Sequence, residues 1–143
     1  MEINGLPLHP LVVHAAVVFA PLAAVGALAS LLPAWRDRLR WPMVVLAVIA
    51  TGSIVVAYYS GGDFLDSKPE LEASPQVQTH QDLGTQLFWI SLAFGVVAVA
   101  TGWLHRREGA LRIALDVLLG VAAVVLLVWV FRTGEAGARA VWG

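Results

Sequence analysis

Four long stretches of this sequence carry almost no charge, and they restrict the fold more than any other feature. They are Leu11–Leu32, Pro42–Tyr59, Leu83–Leu104 and Ile113–Phe131. The first three hold no Asp, Glu, Lys or Arg, and the fourth holds only Asp116, in its first turn. A membrane-spanning helix needs about 20 such residues. The runs are too long for strands and lack the alternation of a barrel strand. A helix also satisfies its backbone hydrogen bonds internally, which lipid demands. The chain has 143 residues, of which 59% are hydrophobic and 13% charged. A soluble domain is about one quarter charged. A chain this short cannot hide so much apolar surface in one core.

The reading is therefore an all-α polytopic membrane four-helix bundle, one domain built as two hairpins. The expected helices cover about 10–32, 42–59, 75–104 and 113–131, with an acidic loop at 60–74. The first run is too long for the apolar core of a signal peptide, and no basic residue precedes it, because the first is Arg36. It is expected to remain as a span.

Basic residues set the expected orientation. Arg36, Arg38, Arg40, Arg106, Arg107 and Arg112 cluster in two turns on one side, six of the nine Lys and Arg. Lys68, Arg132 and Arg139 lie on the other side, together with most of the acids. The positive-inside rule places the Arg-rich turns in the cytoplasm, so both termini face outward across a bacterial inner membrane. A net charge of −1 gives no reason to expect nucleic acid. The absence of Cys excludes disulfides, iron–sulfur clusters, thiolate-bound haem and covalently attached haem.

The two hairpins echo each other. His9 aligns with His80, the Arg36 region with Arg107, and Gly62-Asp63 with Gly134-Glu135, at an offset of about 71–72 residues, and both halves enter the membrane from the same side. Pro10 is the expected first residue of helix 1, with His9 as its cap, and Ser74-Pro75 is expected to start helix 3. Asp116, four residues after Arg112, reads as a structural pair. Ala16, Ala20, Ala23, Ala24 and Ala27 in helix 1, with Ala98 and Gly102 in helix 3, suit close helix packing. Trp35, Trp41, Trp103 and Trp142 fall near the membrane interfaces, and Tyr58-Tyr59 are expected there too.

The histidines carry the chemistry. His9, His14 and His80 lie at the outer end of the bundle. His105 is 25 residues beyond His80, about 37 Å along a helix, and cannot share their site. It is expected beside Arg106 and Arg107 in solvent or among headgroups. His14 is the one strongly polar side chain in its run, and such a group normally faces the bundle interior. His80 can reach the same depth. Two histidines on two helices can serve as the axial ligands of a single b-type haem. The expected cofactor residues are therefore His14 and His80, with His9 nearby. An alternative is an outer metal site of imidazole and carboxylate, using His14, His80, Asp82 and Glu135. His9 and His14 are about 140° apart around a helix, so they do not bind one ion together unless Pro10 turns His9 inward. The third reading is a non-redox structural or assembly subunit whose histidines only pack and hydrogen-bond. No nucleophile–base pair marks a stand-alone enzyme. No broken helix or midplane charge marks a transporter.

Gly5-Leu6-Pro7-Leu8-His9-Pro10-Leu11-Val12-Val13-His14 resembles the start of the DUF2231 family of predicted bacterial membrane proteins. Thr79-His80-Gln81-Asp82-Leu83-Gly84 and the ending from Thr133 to Trp142 are similar to it as well. Some relatives are joined to cytochrome-type or Rieske-type redox modules. The resemblance implies an electron-transfer setting and haem on His9, His14 and His80. Relatives often carry His where this chain has Glu135, a departure that leaves a carboxylate there. The implied partners are the lipid bilayer, a membrane or extracytoplasmic redox protein, and further copies of the chain.

Overall fold

The computed structural model describes all 143 residues. Glu2–Ile3 (β1) and Leu6–Pro7 (β2) form a small antiparallel hairpin. Four helices follow: α1 Leu8–Ser30, α2 Arg36–Asp66, α3 Pro75–Trp103 and α4 Ala110–Trp142, with one 3-10 turn at Pro69–Leu71. All four helices are long and apolar enough to cross a membrane. They pack in a ring, with α1 against α2, α2 against α3, α3 against α4 and α4 against α1. An even number of spans leaves both termini at the same end of the bundle.

The helices outrun the apolar stretches. α1 begins at Leu8, so Pro10 lies inside its first turn and His9 is helical rather than a cap. α2 starts at Arg36 and continues to Asp66, which turns half of the expected acidic loop into helix. Ser60-Gly61-Gly62 reads as a helix breaker, but Ser60 is buried and its hydroxyl donates to the Ala57 carbonyl at 3.2 Å. Leu65, one turn further, is also buried. α4 likewise runs past Phe131 to Trp142, where Arg139 donates to Glu135 at 2.7 Å, four residues back. Ser74 does precede α3, but its hydroxyl donates to Gln76 instead of capping the helix backbone.

Lipid is as apolar as a leucine side chain, so helices in it associate through close van der Waals contact at small residues. Ala20, Ala23, Ala24, Ala27, Ala47, Ala50, Ala98 and Ala123 are fully buried, with Phe94, Met43, Leu119 and Leu126 filling the wider levels. The closest approaches to glycine lie in the α2–α3 seam. A Cβ on Gly95 would stand 2.7 Å from Thr51 Oγ1, and one on Gly102 would collide with Val44. Thr51 donates to the Ser91 carbonyl at 3.1 Å and Arg40 Nε to the Gly102 carbonyl at 2.8 Å, both across this seam.

The two hairpins share a burial pattern, in a register that differs from the expected one in the second helix of each half. Adding 71 to the buried positions of α1 (20, 23, 24, 27 and 30) gives 91, 94, 95, 98 and 101, all buried in α3. Adding 76 to the six buried positions of α2 (43, 47, 50, 54, 60 and 65) gives four that are buried in α4, Leu119, Ala123, Leu126 and Ala136, and two that are not, Val130 and Val141. Arg36 therefore corresponds to Arg112, and Gly61 to Gly137, rather than to Arg107 and to the Gly134 region. The extra five residues are two at the end of α3, one in the turn and two at the start of α4.

The basic end is tied by ions. Arg36 Nη2 meets Asp116 Oδ2 at 2.9 Å, and Arg112 Nε lies 3.3 Å from Oδ1 of the same carboxylate. The equivalent arginines of the two halves thus share Asp116, which stands where the repeat has Arg40. The expected Arg112–Asp116 pair is present, with Arg36 added.

Two outcomes are expected in detergent unfolding titrations. Gly102→Ala should cost about 1–3 kcal/mol by forcing α2 and α3 apart, whereas Gly52→Ala, which meets nothing within 4 Å, should not destabilise. Asp116→Ala should cost about 2–3 kcal/mol, less than a fully buried pair because the carboxylate is about one quarter exposed.

Candidate functional site

The polar groups at the terminal end of the bundle are organised by the N-terminal hairpin. Asn4 and Gly5 both adopt positive φ, 52° and 78°. This is the conformation a tight two-residue hairpin turn requires. The hairpin returns Leu8 N–H to the Met1 carbonyl at 3.0 Å, and the terminal amine lies 3.7 Å from Asp63 on α2. Helix α1 therefore starts before Pro10, and His9 is held in its first turn.

His9 points across to α2. Its Nδ1 is 2.9 Å from the Ala57 carbonyl. A carbonyl only accepts, so Nδ1 carries the proton and Nε2 of the neutral ring keeps its lone pair. The ring rests on Gly61, where an added Cβ would come 3.0 Å from Cε1. His80 on α3 repeats the arrangement against α4. Its Nδ1 is 3.0 Å from the Thr133 carbonyl, and a Cβ on Gly137 would come 3.0 Å from its Cε1. The two clamps are equivalent by the internal repeat: 57 and 61 become 133 and 137 on adding 76.

The two rings then meet across the bundle diagonal. Their centroids are 6.4 Å apart with planes at 69°. Both are half-buried. Phe64 stacks beside His9, with centroids also 6.4 Å apart. Each imidazole is fixed by a hydrogen bond at Nδ1, the arrangement that sets tautomer and ring direction in histidine ligands.

His14 is not part of this pair. It is exposed, and its Nδ1 bonds the Pro10 carbonyl of its own helix at 2.6 Å. The repeat places Thr85 at the equivalent position, and its hydroxyl makes the same bond to Gln81, at 3.0 Å. The physical reason is helical phase: once His9 faces inward, a residue about 140° around the helix faces outward. The expected His14–His80 pairing is thus replaced by His9–His80. The carboxylate set is not assembled either, because no three His, Asp or Glu residues converge. Asp82 is exposed, and Glu135 is engaged by Arg139.

His105 also departs from expectation. It is not solvated but bridges the opposite end, with Nε2 2.6 Å from Asp37 Oδ1 and its side chain 14% exposed. Tyr58 packs on Phe88 of α3 at 4.6 Å, so it links helices as well as lying near the interface. Sequence reasoning missed Gly61 and Gly137. The signal was available in the spacing between the two glycines, had the second helices been aligned at 76.

A duplicated four-span bundle with one paired-histidine clamp at the terminal end describes an integral membrane protein of defined architecture. The chain belongs to the DUF2231 family, described as a predicted membrane protein, whose model matches residues 5–143. No curated protein and no solved structure matches the chain.

Nitrogen NMR of the detergent-solubilised protein should show His9 and His80 as Nδ1–H tautomers. Gly61→Val and Gly137→Val should each displace one ring, abolish that signature for the affected residue, and cost about 1–2 kcal/mol.

Proposed function

We propose that His9 and His80 are the two axial ligands of a single b-type haem, in an electron-transfer subunit of the bacterial inner membrane. The carrying observation is the duplicated clamp. Two imidazoles, each with Nδ1 bonded to a carbonyl and Nε2 free of any hydrogen bond, lie with ring centroids 6.4 Å apart. A haem held between them would take one nitrogen from each ring. The donor count also favours haem. A structural zinc site takes four protein ligands and a catalytic one three, whereas a porphyrin brings four nitrogens and needs two from the protein. The donor set therefore fits haem and does not fit a closed protein-only site.

In this reading the chain's own residues do three things. The Ala57 and Thr133 carbonyls hold the imidazole directions and raise ligand basicity. Gly61 and Gly137 leave the rings room to sit against helix backbone. Phe64 shields the His9 side from water. Haem, when bound, supplies one-electron chemistry. With the Arg-rich turns in the cytoplasm, the histidine end faces outward, and the redox partner docks there.

The test is a visible spectrum of the full chain, purified in mild detergent from haem-sufficient cells, oxidised and then dithionite-reduced. Expected are a Soret band and sharp reduced bands. They should be lost in His9→Ala and in His80→Ala and kept in His14→Ala. A flat spectrum from protein with full helical content would overturn the haem reading and leave the clamps as structural ties between helices.

A further inference from the structure

The opposite end of the bundle carries an open cleft of about 970 Å³ between the α1–α2 and α3–α4 turns. Its lining is strongly basic: Arg36, Arg40, Arg106, Arg107 and Arg112 against Asp37 and Glu108. Asp116, which bridges Arg36 and Arg112, lies behind the lining. Counting it leaves two positive charges in excess, five arginines against three acids. Asp37 is further occupied by His105.

Arg36 and Arg112 form the floor of the cleft: both are engaged by Asp116, and the Nε atoms of both are shut off from solvent. Arg106 and Arg107 form no ion pair at the rim. Arg40 is positioned, with Nε on the Gly102 carbonyl at 2.8 Å and its guanidinium 4.6 Å from the Trp41 ring. Arginine forks match phosphate oxygens in pairs and bind them more strongly than neutral donors do.

The depth and the rim indicate the kind of phosphate. The cleft lies where the apolar runs end, at headgroup level. Two of its lining residues, Trp41 and Ile113, are exposed and face outward from the bundle, 55% and 65% accessible. An acyl chain can lie against them while the phosphate enters the cleft. Basic pockets between spanning helices hold anionic headgroups in this manner.

We propose that this cleft binds the phosphate of an anionic phospholipid headgroup, held by Arg40, Arg106 and Arg107 above the Arg36–Asp116–Arg112 floor. The proposal is independent of the histidine site. The exposed Trp41 and Ile113 beside the arginines favour a lipid over a soluble phosphate compound as the occupant.

The test uses the full chain in mild detergent, with native mass spectrometry and thermal unfolding as readouts. Phosphatidylglycerol, phosphatidylcholine of the same chain length, and inorganic phosphate are added separately. Phosphatidylglycerol should be retained and raise the melting temperature by several degrees, and phosphatidylcholine should do neither. The variant Arg106→Gln/Arg107→Gln, which removes two unpaired surface charges and so should fold, should lose at least tenfold in phosphatidylglycerol affinity. Arg132→Gln/Arg139→Gln, at the other end, should keep it. Equal retention of both lipids, or unchanged binding in the Arg106/Arg107 variant, overturns the proposal. Stabilisation by inorganic phosphate equal to that by phosphatidylglycerol overturns the lipid assignment in favour of a soluble phosphate ligand.

Discussion

The whole structure depends on close approach of helix backbones in a solvent that does not push helices together. In lipid the hydrophobic force between apolar helices vanishes, and contact distance has to replace it. The alanine rows of α1 and α2 and the glycines of α3 provide that distance. Gly102 against Val44 and Gly95 against Thr51 allow no added Cβ. The same close approach brings a side chain of one helix within reach of a carbonyl on the next. Thr51, Arg40, His9 and His80 all make such bonds to main-chain oxygens. The polar contacts are thus consequences of small-residue packing.

Duplication gives the two ends different characters. At the terminal end the halves stay alike, and symmetry brings two copies of one histidine clamp together across the axis. At the basic end the halves differ by five extra residues in the second hairpin and by Asp116, which stands where the repeat would place an arginine. Asp116 puts a carboxylate between two guanidiniums where a third cation would stand. It allows an arginine-rich end to stay compact while the remaining arginines face the cleft. Near-symmetry at one end and broken symmetry at the other both follow from one repeated hairpin.

Much of this was legible in the chain. Four spans, two hairpins and an arginine-rich end follow from run length and charge, because the bilayer sets helix length and admits few charges. The small residues of α1 marked a packing face: Ala20, Ala23, Ala24 and Ala27 are buried and Ala16 is partly so. Helix ends were less legible. Ser60-Gly61-Gly62 and Thr133-Gly134 read locally as stops, but packing of Ser60, Leu65 and Ala136 carries both helices through. His14 drew attention because it is the lone polar group in an apolar run, and depth alone does not say which way a side chain points.

The sequence by itself determined the architecture: transfer of each run into lipid is a property of composition, and composition is local. It also held the three histidines of the terminal end and the arginine count. Only the tertiary structure decided which histidine faces which. That choice rests on helical phase, fixed by the early start of α1 under the N-terminal hairpin and by carbonyls 48 and 53 residues away from the rings they bind. The matching burial registers of the two hairpins, the shared carboxylate at Asp116 and the arginine lining of the basic cleft depend likewise on contacts between helices, which no single segment specifies.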